Sequence, residues 1–244
     1  MPELLRVEGL SAGYGEAVVL SNLSFSIEEG ETLALLGRNG TGKTTTINTI
    51  VGVTTYRAGS IRLGGQEIAR RPPEARAALG LGWVPQERNI FKSLSVEENL
   101  TAVARKGPWT VARVFEMFPR LAERQRNLGS QLSGGDQQML SVARALVLNP
   151  RLILLDEPLE GLAPIIVDEL LGALARIVRE EGLSAIIVEQ KARKILPLAA
   201  KAVILDRGTV VHAGASADIL ADPAILERHL GVAAGGRALH AAPA

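Results

Sequence analysis

The sequence predicts an α/β protein in which antiparallel strands precede a parallel sheet and a helical segment interrupts that sheet. Two apolar runs, Leu152 to Leu155 and Ala185 to Val188, are typical of strands buried on both faces. The amphipathic stretch between them has helical periodicity, and a strand, a helix and a strand in this order indicate a parallel sheet. A glycine-rich loop at residues 37–44, set between an apolar run and a helix-compatible stretch, is the third observation. Together they favour an α/β fold with a helical insert.

The N-terminal region predicts strands of antiparallel character that lead into one buried strand. Short apolar runs alternate there with glycine-containing turn signals. The runs are Leu4 to Leu10, Ala17 to Leu20, Phe25 to Ile27 and Leu33 to Leu36. The segment from Ala58 to Gly65 predicts a further hairpin.

The loop from Gly37 to Thr44 reads GRNGTGKT and fits the pattern G-x-x-x-x-G-K-[ST] in its strand, loop and helix context. Glycines let backbone N–H groups close around phosphate oxygens, and the following helix N-terminus adds partial positive charge. We expect Lys43 to reach the β- and γ-phosphates and the Thr44 hydroxyl to bind Mg²⁺. The predicted nucleotide-binding residues of this segment are Gly37, Arg38, Asn39, Gly40, Thr41, Gly42, Lys43, Thr44 and Thr45.

Residues 87–149 are predicted to form a mostly helical insert. Ser95 and Glu98 fit a capping box, and Ser133 and Asp136 repeat its spacing at the start of a second amphipathic stretch. The insert therefore separates two segments of one α/β core.

The strand Leu152 to Leu155 is followed by Asp156 and Glu157. After a phosphate-binding loop, Asp156 is expected to hold Mg²⁺ through water, and Glu157 to polarise the attacking water. Both roles need a nearby metal ion, since two adjacent ionised acids otherwise repel.

The C-terminal region predicts a final strand pair, Ala202 to Leu205 with Thr209 to His212, and helical structure from Asp218 to Leu230. The tail that follows is rich in Ala, Gly and Pro and is predicted to be disordered. The expected organisation is a first core segment at 1–86, a helical insert at 87–149, a second core segment at 150–231 and a tail at 232–244.

Composition limits the function classes. The 27 Lys and Arg residues nearly balance the 26 Asp and Glu residues, so the formal net charge of +1 gives no support to nucleic-acid binding. The absence of cysteine excludes disulfides, thiolate metal sites and cysteine nucleophiles. The sequence shows no signal peptide, and no apolar run approaches the roughly 18 residues of a membrane helix. We therefore expect a cytoplasmic chain that contacts a membrane only through a partner.

The order of the motifs GRNGTGKT, Trp83 to Gln86, LSGGDQQ at Leu132 to Gln138, and LILLDE resembles an ATP-binding cassette (ABC) ATPase of membrane transporters. The resemblance covers about residues 4–230 and implies a P-loop NTPase fold with a RecA-like core. It also implies that Tyr14 stacks on adenine and that Gln86 senses Mg²⁺ and the γ-phosphate.

LSGGDQQ corresponds to the signature of that family. The resemblance implies that Ser133, Gly134 and Gly135 contact ATP bound to the opposite subunit. The residue types agree, because a serine at a helix N-cap followed by two glycines exposes N–H groups at the positive end of a helix dipole.

The resemblance implies a set of partners and a location. The chain is expected to pair with a second ABC ATPase subunit, identical or different, and with two transmembrane permease subunits. A periplasmic or extracellular solute-binding protein acts indirectly, and no nucleic acid takes part. The expected location is peripheral, at the cytoplasmic face of the inner (plasma) membrane.

Within the family, Ser95 to Leu100 and Glu160 to Pro164 resemble the second, Liv-type ATPase of branched-chain amino acid importers. Urea and amide importers share much of this pattern, so the same role in such an importer is an alternative. A soluble cassette ATPase acting on ribosomes or DNA is disfavoured, because the chain has neither a second cassette nor a long coiled-coil insertion.

Two positions depart from the wider family pattern. Ala163 stands where an Asp usually bridges the two sites, and Gln190 stands where most members carry a switch His. Glutamine donates a hydrogen bond but carries neither a proton nor a positive charge for catalysis. The Liv-type branch often shows this replacement. A weakly hydrolysing regulatory subunit is therefore a further alternative.

Overall fold

The computed structural model describes residues 2–231, so the predicted tail at 232–244 lies outside the described residues. The chain divides into two compact units. The first unit joins the residues up to Arg71 with those from Ile186 onward, and the second comprises residues 72–185. The domain boundaries predicted from the motifs remain a prediction.

The secondary structure has the alternation of strands and helices that the sequence predicts. The strands are β1 (Glu3–Tyr14), β2 (Ala17–Glu28), β3 (Thr32–Leu36), β4 (Thr55–Leu63), β5 (Gln66–Glu67), β6 (Leu81–Val84), β7 (Leu152–Asp156), β8 (Ser184–Glu189), β9 (Lys201–Asp206) and β10 (Thr209–Ala215). The helices are α1 (Lys43–Val51), α2 (Pro73–Ala78), α3 (Val96–Thr101), α4 (Val111–Met117), α5 (Pro119–Glu123), α6 (Gly134–Leu146), α7 (Pro164–Arg179), α8 (Ala192–Ile195), α9 (Ser216–Ala221) and α10 (Pro223–Leu230).

The first unit contains an antiparallel sheet of order β2-β1-β4-β5, as the N-terminal pattern predicts. The runs Ala17 to Leu20 and Phe25 to Ile27, predicted as separate, belong to one strand, β2, and β1 continues past the predicted run Leu4 to Leu10 as far as Tyr14. Gly9 and Asn22 adopt left-handed conformations with φ of 58° and 53°, and the pairing shifts register around Gly9. The Gly9 N–H donates to the Ser24 hydroxyl at 2.9 Å. Bulges of this kind let a strand continue past a turn-like residue.

The first unit also contains the neighbouring strands β10-β9-β3-β8, where β8 belongs to it from Ile186 onward. β3 and β9 run parallel, and β9 and β10 pair antiparallel. Every residue of β3 is buried, which agrees with its uninterrupted apolar sequence. The predicted α/β class is confirmed.

The segment Asp218 to Leu230 is helical as predicted, but it is divided into two helices, α9 and α10. Asp222 lies between them with φ −104° and ψ 95°, and its carboxylate accepts the Ala224 N–H at 2.9 Å. The following Pro223 has no N–H to continue the preceding helix, so it begins a new one.

In the second unit, β6 and β7 pair in parallel, with Leu81 opposite Leu152. The helices α3 to α6 occupy the predicted insert. The capping box of Ser95 and Glu98 is confirmed, with a 3.1 Å bond from the Glu98 N–H to the Ser95 hydroxyl. Within residues 2–231 no helix combines the length and apolar character needed to cross a bilayer.

Candidate functional site

The glycine-rich loop lies between β3 and α1 in the first unit. Gly42 caps α1 in a left-handed conformation with φ 102°. This conformation favours glycine, and a methyl group added there would also lie 2.8 Å from Cδ2 of Leu20 and displace that side chain. The Thr41 carbonyl accepts the Gly208 N–H at 2.9 Å, which fastens the loop to the turn between β9 and β10.

Lys43 is buried and its Nζ donates to the Arg38 carbonyl at 3.0 Å. The Thr41 hydroxyl donates to the same carbonyl at 2.9 Å. The Arg38 carbonyl therefore binds both side chains, and the loop curls around its own lysine. Gly37 is buried, whereas the segment from Arg38 to Gly40 is exposed. Thr44 is half-buried and Thr45 is buried.

Tyr14 lies at the end of β1 with 46% of its surface exposed. Its hydroxyl accepts a hydrogen bond from Nδ2 of Asn48 in α1 at 3.0 Å. Because α1 is the helix that follows the glycine-rich loop, this bond fixes the ring relative to that helix. An exposed and oriented aromatic face suits stacking on a base.

Gln190 follows β8 and is half-buried. Its backbone N–H donates to Oε2 of Glu189 at 3.1 Å, and the Lys191 N–H lies 3.4 Å from the same oxygen. The buried Glu189 carboxylate therefore fixes the backbone at the position where most relatives are expected to carry a histidine.

In the second unit, Asp156 and Glu157 are buried at the end of β7, with 1% and 8% of their surfaces exposed. Glu157 has a positive φ of 46°. A left-handed conformation costs a residue with a side chain roughly 1–2 kcal/mol, and such strain concentrates at functional sites. The backbone thus turns sharply at the residue predicted to act as the base.

Gln86, next to the end of β6, is exposed, and its Nε2 donates to Oε2 of Glu160 at 2.6 Å. Arg88 follows with φ 66°, and its Nε donates to Oε1 of Gln138 at 2.9 Å. The Ser141 hydroxyl donates to the Arg88 carbonyl at 2.7 Å. The loop after Gln86 is therefore attached to α6, the helix that the signature begins.

Arg144 of α6 strengthens this attachment. Its Nη1 donates to the Asn89 carbonyl at 2.6 Å, and its guanidinium carbon lies 4.1 Å from the ring centre of Phe91. Burial lowers the pKa of the Arg144 guanidinium from its ordinary value. Sequence reasoning missed Arg88, Glu160 and Arg144 as members of the site, because their partners lie 50 or more residues away along the chain.

The signature segment begins α6. Ser133 is exposed at the N-cap, and its hydroxyl accepts the Asp136 N–H at 3.2 Å. Gly134 is exposed, whereas Gly135 is buried, and a methyl group added to Gly135 would lie 2.6 Å from Cγ2 of Ile166. One glycine therefore leaves the backbone accessible, and the other allows close packing against α7.

Each unit contains a residue of a type that binds magnesium in nucleotide enzymes. In residues 2–231, no group of three or more His, Cys, Asp or Glu side chains is arranged to hold a metal by itself. Mg²⁺ in nucleotide enzymes usually takes one or two protein ligands together with phosphate oxygens. Thr44 in the first unit and Asp156 in the second are residue types of that kind.

Sequence comparison identifies the family of the chain. The profile of the ABC transporter family matches residues 20–160. The high-affinity branched-chain amino acid transport ATP-binding protein BraG of Pseudomonas aeruginosa is 37% identical over 93% of this chain and all of its own. The lipopolysaccharide export system ATP-binding protein LptB of Acidithiobacillus ferridurans is 36% identical over 95% of this chain and 98% of its own.

Solved structures give the same fold. An ABC transporter ATP-binding subunit has a TM-score of 0.76 at 28% identity, covering 96% of this chain and 95% of that one. The ADP conformation of the ATP-binding cassette MJ1267 has a TM-score of 0.79 at 24% identity, covering 93% and 98%. With its glycine-rich loop, its acidic strand end and its signature segment in the family's order, the chain belongs to the ABC transporter family, as an ATP-binding and ATP-hydrolysing cassette.

Proposed function

We propose that the chain energises an importer of branched-chain amino acids by hydrolysing ATP between two cassettes. The observation that carries the proposal is the similarity to BraG over that protein's full length. The chain would dimerise with a second cassette, identical or different, and would drive two permease subunits from the cytoplasmic face of the membrane. A solute-binding protein would deliver the amino acid on the other side.

The phosphates of ATP would be bound by the backbone N–H groups of residues 37–42 and by Lys43. The support for this is the conformation of the loop, in which the buried Lys43 donates to the Arg38 carbonyl. Tyr14, held by Asn48, would stack on the adenine. Mg²⁺, which supplies charge neutralisation at the phosphates, would be held by Thr44 and Asp156, with Gln86 near it.

Glu157 would accept the proton of the attacking water, since it is the carboxylate next to the proposed metal ligand Asp156. Its left-handed backbone supports a special role at that position. Ser133, Gly134 and Gly135 would bind the γ-phosphate of the nucleotide on the opposite cassette. The exposure of Ser133 and Gly134 at the start of a 13-residue helix supports that contact.

Gln190 would donate a hydrogen bond toward the γ-phosphate where most relatives use histidine. Because a glutamine cannot take a proton, the proton from the attacking water would remain with Glu157 in this chain. A weakly hydrolysing site is the corresponding alternative, and it predicts low turnover even in the complete transporter.

A second candidate function is lipopolysaccharide export. The LptB proteins of Haemophilus influenzae and Escherichia coli K12 are each 34% identical over 93% of this chain, close to the 37% of BraG. A cassette meets its cargo only through other subunits, so this small difference weighs little for the solute. Urea or amide import remains a further candidate.

The deciding experiment isolates the native complex through a tag on this chain and identifies the membrane subunits that copurify. The complex is reconstituted in lipid vesicles, and ATP hydrolysis is measured with a copurified or genetically adjacent binding protein loaded with leucine, valine, isoleucine or urea. We expect stimulation by the branched-chain amino acids. Stimulation by urea alone, or copurification of lipopolysaccharide-export subunits with no binding protein, would replace the proposed solute.

A further inference from the structure

The hydroxyl of the signature serine already has a strong acceptor. Ser133 Oγ donates to Oδ2 of Asp136 at 2.6 Å and accepts the Asp136 N–H at 3.2 Å. A serine hydroxyl carries one hydrogen, and an ionised phosphate only accepts. Ser133 can therefore donate to a phosphate only after its hydroxyl stops donating to Asp136.

A second donor shares the same carboxylate oxygen. Nη1 of Arg124 donates to Oδ2 of Asp136 at 2.7 Å, and Nε of Arg120 lies 3.2 Å from Oδ1. Asp136 is completely buried, whereas the two arginine side chains are 39% and 35% exposed. A buried carboxylate that loses a hydrogen-bond donor is costly unless another donor remains. Arg124 is the donor that remains at Oδ2 when the Ser133 hydrogen departs.

The cluster of charged side chains around Asp136 extends to α7. Nη1 of Arg120 lies 3.2 Å from Oε2 of Glu169, which belongs to the helix beginning at Pro164. Arg120 thus forms ion pairs with two carboxylates. Its contact with Asp136 is not a hydrogen bond, since Oδ1 of Asp136 accepts none from the described residues. Arg124 therefore has the more direct influence on the oxygen that holds the Ser133 hydroxyl.

We propose that the Ser133 hydroxyl donates its hydrogen bond to Asp136 until ATP arrives, and that Arg124 is the positioning residue that lets this hydrogen bond be redirected to the γ-phosphate, the hydrogen staying on Oγ throughout. Only rotation about the Cβ–Oγ bond is needed. Oγ stays in place as the helix cap because its bond from the Asp136 N–H is kept, and Asp136 keeps Arg124. This inference rests on the proposed contact between Ser133 and the nucleotide of the opposite cassette.

The test measures kcat/KM for ATP hydrolysis by the native complex isolated through a tag on the full chain. Arg124→Gln should lower it about tenfold, the usual scale for a hydrogen bond to a charged group. The matched control is Arg126→Gln, which removes an exposed charge two residues away and should leave kcat/KM within about twofold. Binding of fluorescent ATP to the isolated full chain should be unchanged by Arg124→Gln, because in a single chain Ser133 does not contact the nucleotide at that chain's own glycine-rich loop.

If Arg124 only stabilises the fold, its substitution should lower kcat/KM whether or not residue 133 carries a hydroxyl, so Arg124→Gln is repeated in a variant that lacks the Ser133 hydroxyl. In the Ser133→Ala variant, Arg124→Gln should cause no further loss of kcat/KM. A tenfold loss there as well, or equal effects of Arg124→Gln and Arg126→Gln, would overturn the inference. If the unaltered chain does not bind fluorescent ATP at all, the proposed nucleotide site is instead refuted.

A second variant covers the case in which Arg124→Gln lowers stability. Asp136→Asn replaces the charged acceptor with a neutral one that holds the hydroxyl less tightly. The double variant Asp136→Asn/Arg124→Gln should return to within about threefold of the unaltered complex. A double variant as slow as Arg124→Gln alone would contradict the proposed competition for the hydroxyl hydrogen.

Discussion

Helix α7 begins without a side-chain cap, and this gives a quantitative prediction. Its N-cap is Ala163, at φ −64° and ψ 148°, and no acidic residue stands in the first turn. Those angles are the extended ones of an N-cap, and Ala163 is exposed, so an aspartate fits there without burial. Ala163→Asp would supply an acceptor for the first N–H groups of α7.

The expected gain is about 1 kcal/mol from capping, with about 0.3–1 kcal/mol more from the negative charge at the helix N-terminus. For a chain of this size, each kcal/mol raises the midpoint of thermal unfolding by about 2–4 °C. Scanning calorimetry of the purified chain measures it. Ala163→Asn should retain most of the gain, because it caps without charge, whereas Ala163→Gln should give none. If Asp and Asn stabilise no more than Gln, the capping argument is wrong.

Further predictions concern the nucleotide site and the C-terminal helix. Lys43→Ala should nearly abolish ATP binding in a filter assay without preventing folding, and unchanged affinity would refute the phosphate-binding role of the loop. Gln190→His should raise or preserve ATP hydrolysis by the assembled transporter, whereas a clear loss would show that Gln190 has a role of its own. Burial, followed by the nearby charges of His212 and Arg228, lowers the pKa of His229 below its ordinary 6.5. Because the unfolded chain then binds the proton more readily, the stability of the protein should fall as pH drops through 6.5 toward the folded pKa. Thermal unfolding midpoints measured between pH 7.5 and 5.5 should show this decline, and His229→Gln should make it less steep. An equal slope in both proteins would contradict the prediction.

Features determined by local sequence were predictable. The strand, loop and helix around Lys43 and the caps at Ser95 and Ser133 follow from short-range patterns, and the structure has all three. The helical character of Asp218 to Leu230 was likewise predictable, whereas the division at Asp222-Pro223, where the proline starts a second helix, was not predicted. The same local approach also divided β2, because a bulge at Asn22 resembles a turn in sequence.

Features that depend on distant residues were not predictable from one sequence. Asp136 meets Arg124 and Arg120 across 12 and 16 residues, and Gln86 meets Glu160 across 74. No periodicity links such pairs, since the path of the chain between them decides the contact. The left-handed backbone of Glu157 is likewise a consequence of tertiary structure rather than of residue type.

We propose that ATP bound at the glycine-rich loop is hydrolysed with Glu157 as the base. Glu157→Gln keeps the size of the side chain and removes its ability to accept a proton. ATP hydrolysis by the native complex should slow by roughly 10²–10⁴-fold, while ATP affinity is retained. Turnover equal to that of the unaltered complex, with ATP still bound, would contradict the account.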